Sequence, residues 1–299
     1  GMAIEHPDYP DGLGIVVSDA SQTGFSSDFN LFEVSGTGAV GRWQGGDRVT
    51  LQQWRSASFN DGESLAGDPA FVSPAGGDGV IGYVDAGTDG SDDNFHLSSL
   101  FGAPVSGTLA PVADPTTGLP VFPAVAFGTQ GVQSPGIDRG DITTPVGAET
   151  ADNGGFVNIG AFGGTALASR SPAAFVLVTA PTGGETVQQQ QTLTVAWRSA
   201  GFDGPVDIAL SPDGSSFTPV ASSIEDSGSF DWAVPEDLAP GTAYRIRVSA
   251  AETPSVVGTS GIFAVSPPIT AYYVNDAVRE GDQYTEAVGD DANDGLSPA

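Results

Sequence analysis

No apolar run in this chain lasts long enough to build a helix of ordinary length. Between residues 14 and 101 the clusters are GIVVSD, FNLFEV, RVTLQQW, PAFV, GVIGYVD and NFHLSSLF, each bounded by Gly, Asp, Ser or Pro. A helix needs a 3.6-residue stripe sustained for about ten or more positions, whereas a strand is complete in four to eight. The pattern therefore predicts an all-β chain. Its 42 Gly and 22 Pro, beside 39% hydrophobic residues, suit many short strands joined by turns rather than disorder. Only Gly46 to Ser58 has room for a short helix. There Val49, Leu51, Gln52, Trp54 and Arg55 fit an amphipathic turn or a strand plus turn, with Asp47 placed to cap the start. Residues 102 to 133, rich in proline and carrying Asp114 as their one charge, read as a long surface loop.

Charge narrows the partners. The 37 acidic residues stand against 9 basic ones, all of them Arg, for a net charge of −28. Such a field repels phosphate backbones and anionic lipid, which excludes nucleic-acid binding and polybasic membrane docking and favours cations. An acidic surface also keeps a protein soluble in salty water without any ligand. With no cysteine, disulfides and thiolate metal sites are excluded. No apolar run approaches the ~20 residues of a membrane span. Residues 1 to 30 lack the charged and apolar regions of a secretion signal, so in a secreted parent the signal is expected upstream. The 299 residues suffice for about two domains.

The succession Asp28-Phe29-Asn30-Leu31, Trp54, Asp68-Pro69-Ala70-Phe71-Val72, Asp93-Asn94-Phe95-His96-Leu97, Ser134-Pro135-Gly136-Ile137-Asp138 and Asn158-Ile159-Gly160-Ala161-Phe162 resembles the C-terminal end of right-handed parallel β-helix proteins. Many members of that group are secreted polysaccharide lyases, epimerases or related surface proteins. The resemblance covers about the first 165 residues and implies stacked coils, each burying one or two apolar side chains, with Asp, Asn, Gly and Pro at the corners.

From Phe175 the composition changes. FVLVTAP, TLTVAWRS, VDIALSP, FTPVASS, GSFDWAV, AYRIRVSA and GIFAVS are strand-like runs, with Leu193, Val195 and Trp197 on one face and Tyr244, Ile246 and Val248 on another. Their number and spacing fit an immunoglobulin-like β-sandwich. Thr179 to Glu185, Leu193 to Trp197, Gly228 to Trp232 with Val234-Pro235, and Tyr244 to Val248 resemble the Ig-like domain of the Ser/Thr-rich GPI-anchored cell-wall family, which is generally a non-catalytic spacer. After Ser266 the tail AYYVNDAVREGDQYTEAVGDDANDGLSPA resembles the opening of another parallel β-helix. The expected organisation is thus β-helix coils over 1–168, a linker at 169–173, the sandwich over 174–266, and at 267–299 a linker and the start of a truncated second helix. Pro172 makes that first linker a restricted hinge.

Candidate chemistry is sparse. Asp85, Asp89, Asp92 and Asp93, and separately Asp290, Asp291, Asn293 and Asp294, set hard oxygen ligands at spacing that suits calcium, the one cofactor such clusters would take. The same spacing makes Asx turns, and the second cluster lacks the distal Glu of an EF-hand. Trp43 and Trp54 are the candidates for stacking on sugar, while Trp197 and Trp232 fall inside strand patterns and read as core. His6 lies in a Pro-rich start; His96, with Asp93 nearby, reads as structural before it reads as a base. Lyases of the resembling fold commonly use Lys or Arg as base. Here there is no Lys, and Arg42, Arg48, Arg55 and Arg139 show no carboxylate pair at recognisable spacing. No catalytic residue is assigned.

The reading is a non-catalytic, monomeric fragment of an extracellular or cell-surface protein, a spacer or adhesion module with extracellular polysaccharide as the candidate partner. The alternatives are part of a lyase or C5-epimerase acting on acidic glycans, and a calcium-dependent adhesin. The lyase reading requires a groove in which Arg or His faces a carboxylate.

Overall fold

The structure is a computed structural model that describes residues 2–4, 12–85, 87–88, 90–105, 112–121 and 125–268. Among these, the chain is all-β apart from a single α-helix and a 3-10 turn at Asp19–Ser21. The N-terminal strands are short: β1 Met2–Ile4, β2 Leu13–Val16, β3 Leu31–Val34, β4 Ala39–Trp43, β5 Gly46–Arg48, then helix α1 Leu51–Ser58, β6 Leu65–Ala66, β7 Phe71–Ser73, β8 Asn94–Leu97, β9 Ala103–Pro104, β10 Val112–Ala113, β11 Pro120–Val121 and β12 Phe127–Gly128.

Two of the small sheets are built on parallel pairs. β1, β3 and β6 run parallel, with Phe32 opposite both Met2 and Ala66, and β2 runs parallel to β4 with Ile15 opposite Gly41. The connections between parallel partners are long: β4, β5 and the helix lie between β3 and β6, and β3 lies between β2 and β4. Backbone hydrogen bonds also join successive segments into a stack: Leu65 donates to Asn30, Ser134 to Ser98 and Ile159 to Gly136, whereas β7 and β8 pair antiparallel, with Phe71 opposite Leu97 and Ser98 donating to Ala70. Leu31, Leu97, Ile137 and Ile159 are buried along this stack. Above it Val17, Phe32, Val40, Trp43, Leu51 and Trp54 form one cluster. Gly41 is required there, because a Cβ on it would lie 2.6 Å from the Trp54 ring. In the 102 to 133 region β9 pairs antiparallel with β12, and β10 with β11.

Helix α1 lies inside the stretch that had room for one, but Thr50 rather than Asp47 caps it. Its hydroxyl accepts from the Gln53 amide, and the Gln53 side chain returns to the Thr50 amide. The start is displaced because Gly46–Arg48 is consumed by β5, which folds back on β4 through Gln44 and Gly45. Both turn residues have positive φ, 52° and 71°, as a two-residue hairpin turn of primed type demands. Asp47 is left on the hairpin, ion-paired to Arg42.

The remaining strands are β13 Phe175–Ala180, β14 Thr186–Gln188, β15 Thr192–Ala200, β16 Val206–Ser211, β17 Thr218–Ile224, β18 Ser229–Ala233, β19 Gly241–Ala250, β20 Val257–Thr259 and β21 Phe263–Ser266. They form two facing sheets, β13-β15-β18 and β14-β21-β19-β16-β17, with β20 also paired to β19. All these pairs are antiparallel except β14 with β21. Alternation along β15 and β19 turns Val195 and Trp197, and Tyr244, Ile246 and Val248, into one core with Ile208, Trp232 and Phe263. Tyr244 donates its hydroxyl to the Ala239 carbonyl at 2.6 Å, the tyrosine corner of Ig-like sandwiches.

Candidate functional site

The feature that organises this molecule is the place where the N-terminal coils meet the sandwich. Ser169, Arg170 and Ser171 approach it as an extended chain, and each is pinned. The Ser169 carbonyl accepts from Asn158 Nδ2 at 2.7 Å, the Arg170 amide donates to Gly102 at 2.8 Å, and the Ser171 amide donates to Asp152 at 2.6 Å. The Ser171 hydroxyl donates to Asp138 Oδ1 at 2.8 Å. On the sandwich side Gly201 packs so closely that a Cβ would lie 1.8 Å from the Ala173 carbonyl oxygen, and its φ of 76° also favours glycine.

Three arginines cross the junction. Arg55 of α1 donates to the Asp61 and Ser64 carbonyls at 2.7 and 2.5 Å and reaches over to Thr182 Oγ1 at 3.0 Å. The Thr182 hydroxyl in turn donates to Glu185 Oε1 at 2.6 Å. Arg139 donates to the Val178 carbonyl of β13 at 2.6 Å, and Arg198 of β15 donates in the opposite sense to the Asp138 carbonyl at 2.5 Å. Arg198 also lies over the Phe156 ring, 5.0 Å from its centre. Guanidinium groups suit this task because they stay charged when partly dehydrated; burial pulls Arg139 down only to about 10.

The carboxyls beneath behave differently. Burial pushes Asp138 up to about 7, against the opposing Ser171 hydrogen bond, and Glu149 adds to the rise. Glu149 is itself raised by burial, although its Oε1 accepts from the Asn158 and Gly164 amides. His96 is 1% exposed, with Nδ1 2.8 Å from Asn94 Oδ1 and its ring stacked 3.6 Å from Phe162. Nε2 is buried with no partner, and burial pulls the imidazole down to about 4. It is a neutral framework group.

The sequence candidates do not converge. Trp43 and Trp54 offer no face to a sugar: they are 7% and 0% exposed, meet edge to face at 5.8 Å, and fill the core above the stack. Trp54 is further fixed by donating Nε1–H to the buried Asp61 carboxylate at 2.7 Å. Trp197 and Trp232 are buried in the sandwich. Asp85 accepts from the Gly87 amide and the Thr88 hydroxyl, as an Asx-turn group does, while Asp92 accepts from the Gly77 and Asp78 amides and Asp93 from the Gly82 amide, tying the loop before them to this segment. Among the described residues no group of three or more His, Cys, Asp or Glu could hold a metal ion. Asp89, Asp290, Asp291, Asn293, Asp294 and His6 lie outside the described residues. Arg42 and Arg48 share the β4–β5 hairpin, where Arg42 pairs with Asp47 and Arg48 points back to the Trp43 carbonyl, whereas Arg55 reaches to Thr182 and His96 is buried beside Asn94.

The sandwich is also where the chain is similar to a known family. Residues 180–265 match the Kre9/KNH-like N-terminal Ig-like domain. The match runs from the end of β13 to β21 and supports the cell-wall-family half of the sequence resemblance; it leaves the N-terminal coils unmatched. No curated protein matches the chain. Among the described residues no helix is long and apolar enough to cross a membrane. The sequence reading names Arg139 only as a lyase base to be dismissed and Asp138 only within a β-helix segment, and it gives Arg198 no role. The available signal was scarcity: in a chain with 9 basic residues, an Arg inside an apolar strand pattern such as AWRSA has to be held by something.

Proposed function

We propose that the chain is a non-catalytic spacer of an extracellular or cell-surface protein, in which the end of a right-handed parallel β-helix is held rigidly against an Ig-like sandwich. The observation that carries this reading is the junction, where Arg55 and Arg139 reach from the coils to the sandwich and Arg198 reaches back. Two of these hydrogen bonds end on main-chain carbonyls, which cannot rotate away as side-chain partners can. The β-helix assignment is supported by the parallel pairs of β1, β3 and β6 and of β2 with β4, and by the hydrogen bonds that join the segments around Leu97, Ile137 and Ile159 in sequence order; the antiparallel pair of β7 with β8 departs from that pattern. The match over 180–265 supports a cell-wall setting, and the net charge of −28 keeps such a spacer apart from anionic polymers. Arg42 pairs with Asp47 on the exposed β4–β5 hairpin that also carries Arg48, away from Arg55 and from the buried His96, which favours this reading over a lyase or epimerase.

Small-angle scattering tests it. A rigid spacer gives one narrow pair-distance distribution that is the same at low and high salt. A broad distribution, or one that expands with salt, contradicts the reading.

A further inference from the structure

A half-open groove of about 400 Å³ lies on the side of the coil stack, lined by Phe71, Phe95, Leu97, Ile159 and Phe162 and by the Gly160–Gly163 turn. Its walls are prearranged. Phe71 and Phe95 meet edge to face at 5.5 Å, and Phe162 is held flat by the buried His96 ring behind it. Phe95 remains 40% exposed, so an aromatic edge is presented to solvent from a hairpin whose register is fixed by pairing of Phe71 with Leu97.

Charge selects the occupant. The chain carries 37 acidic and 9 basic side chains, yet none lines this groove. The surrounding field of −28 repels an anion, and a cation would enter a site with no carboxylate to replace its water. An uncharged ligand is left. The open shape and the exposed backbone at Ala161, beside aromatic walls, suit a ring with an apolar face and hydroxyl edges better than a lipid chain, which needs enclosure.

We propose that this groove binds the sugar rings of a neutral polysaccharide. This rests on the surface-module reading above and gives it a ligand class, since uronate polymers are excluded by the same charge argument.

The test is titration of the whole chain with neutral gluco-, manno- and galacto-oligosaccharides, with oligogalacturonate as the charged control, repeated on Phe95→Ala. Phe95 is partly exposed, so the variant folds, and an unchanged circular dichroism melt checks that; Phe71→Leu is the second variant. The proposal predicts binding of a neutral oligosaccharide, at least tenfold weaker in both variants, and none of oligogalacturonate. It is overturned if no neutral oligosaccharide binds, if the variants bind like the parent, or if oligogalacturonate or a hydrophobic dye is the preferred ligand. A narrow scattering distribution with no glycan binding would sink this proposal alone, whereas a broad one would sink the spacer reading whatever binds.

Discussion

Asp138 and His96 are tuned by burial in opposite directions across nearly the same pH range. The folded Asp138 holds its proton to about 7, against an ordinary 3.8, so its contribution is present at low pH and is lost as pH rises through 7. The folded His96 stays neutral to about 4, against an ordinary 6.5, so its contribution is present above 6.5 and is lost as pH falls toward 4. One proton each way amounts to about 1.4 kcal/mol per pH unit, and the two slopes oppose. Wild-type stability should therefore change little between pH 4.5 and 6.5, tilted downward with rising pH by Glu149. In Asp138→Asn the His96 slope is uncovered and stability rises with pH across this window; in His96→Gln it falls. Denaturant melts at several pH values check both, and parallel profiles for all three proteins would refute the balance. Trp54→Phe removes one donor from the buried Asp61 carboxylate and should cost about 1–3 kcal/mol. It should leave any glycan binding unchanged, which calorimetry can read.

At the scale of elements, much was legible because side-chain pattern determines it. Alternation along residues 193–197 and 244–248 already named the buried faces of β15 and β19, and Trp197 and Trp232 sit where that pattern puts them. The cap of α1 was misread because a short strand competes for the same residues: Gln44-Gly45 is a hairpin turn, and once Gly46–Arg48 pairs with β4 the first free cap is Thr50. Thr50→Ala should destabilise the fold by about 1 kcal/mol, seen as a lower denaturation midpoint, while Asp47→Ala should leave the midpoint nearly where it is. Tyr244→Phe leaves the Ala239 carbonyl without its partner and should cost about 1–2 kcal/mol in the same assay. The sugar-stacking reading of Trp43 and Trp54 failed for a related reason. Isolated tryptophans in short strands look alike whether they face solvent or a core, and only the packing of α1 over β4 decides it.

At the scale of the whole molecule, the junction was the least legible part. Its arginines end largely on main-chain carbonyls, and a carbonyl leaves no mark on the sequence. Pro172 suggested a restricted hinge; what the structure adds is hydrogen bonds that tie Ser169, Arg170 and Ser171 to the coils, with Arg139 and Arg198 bonding across beyond them. Removing both guanidinium groups in Arg139→Ala with Arg198→Ala leaves the Val178 and Asp138 carbonyls unpaired, and proteolysis at residues 169–173 should accelerate by tenfold or more. Because the chain has no cysteine, two labels can be placed without background. The most direct measurement is therefore the spin-label distance between Ser56→Cys on α1 and Ser222→Cys on β17. The rigid-spacer account predicts one narrow distance distribution in the parent that broadens in the double arginine variant. A broad distribution in the parent itself would contradict it.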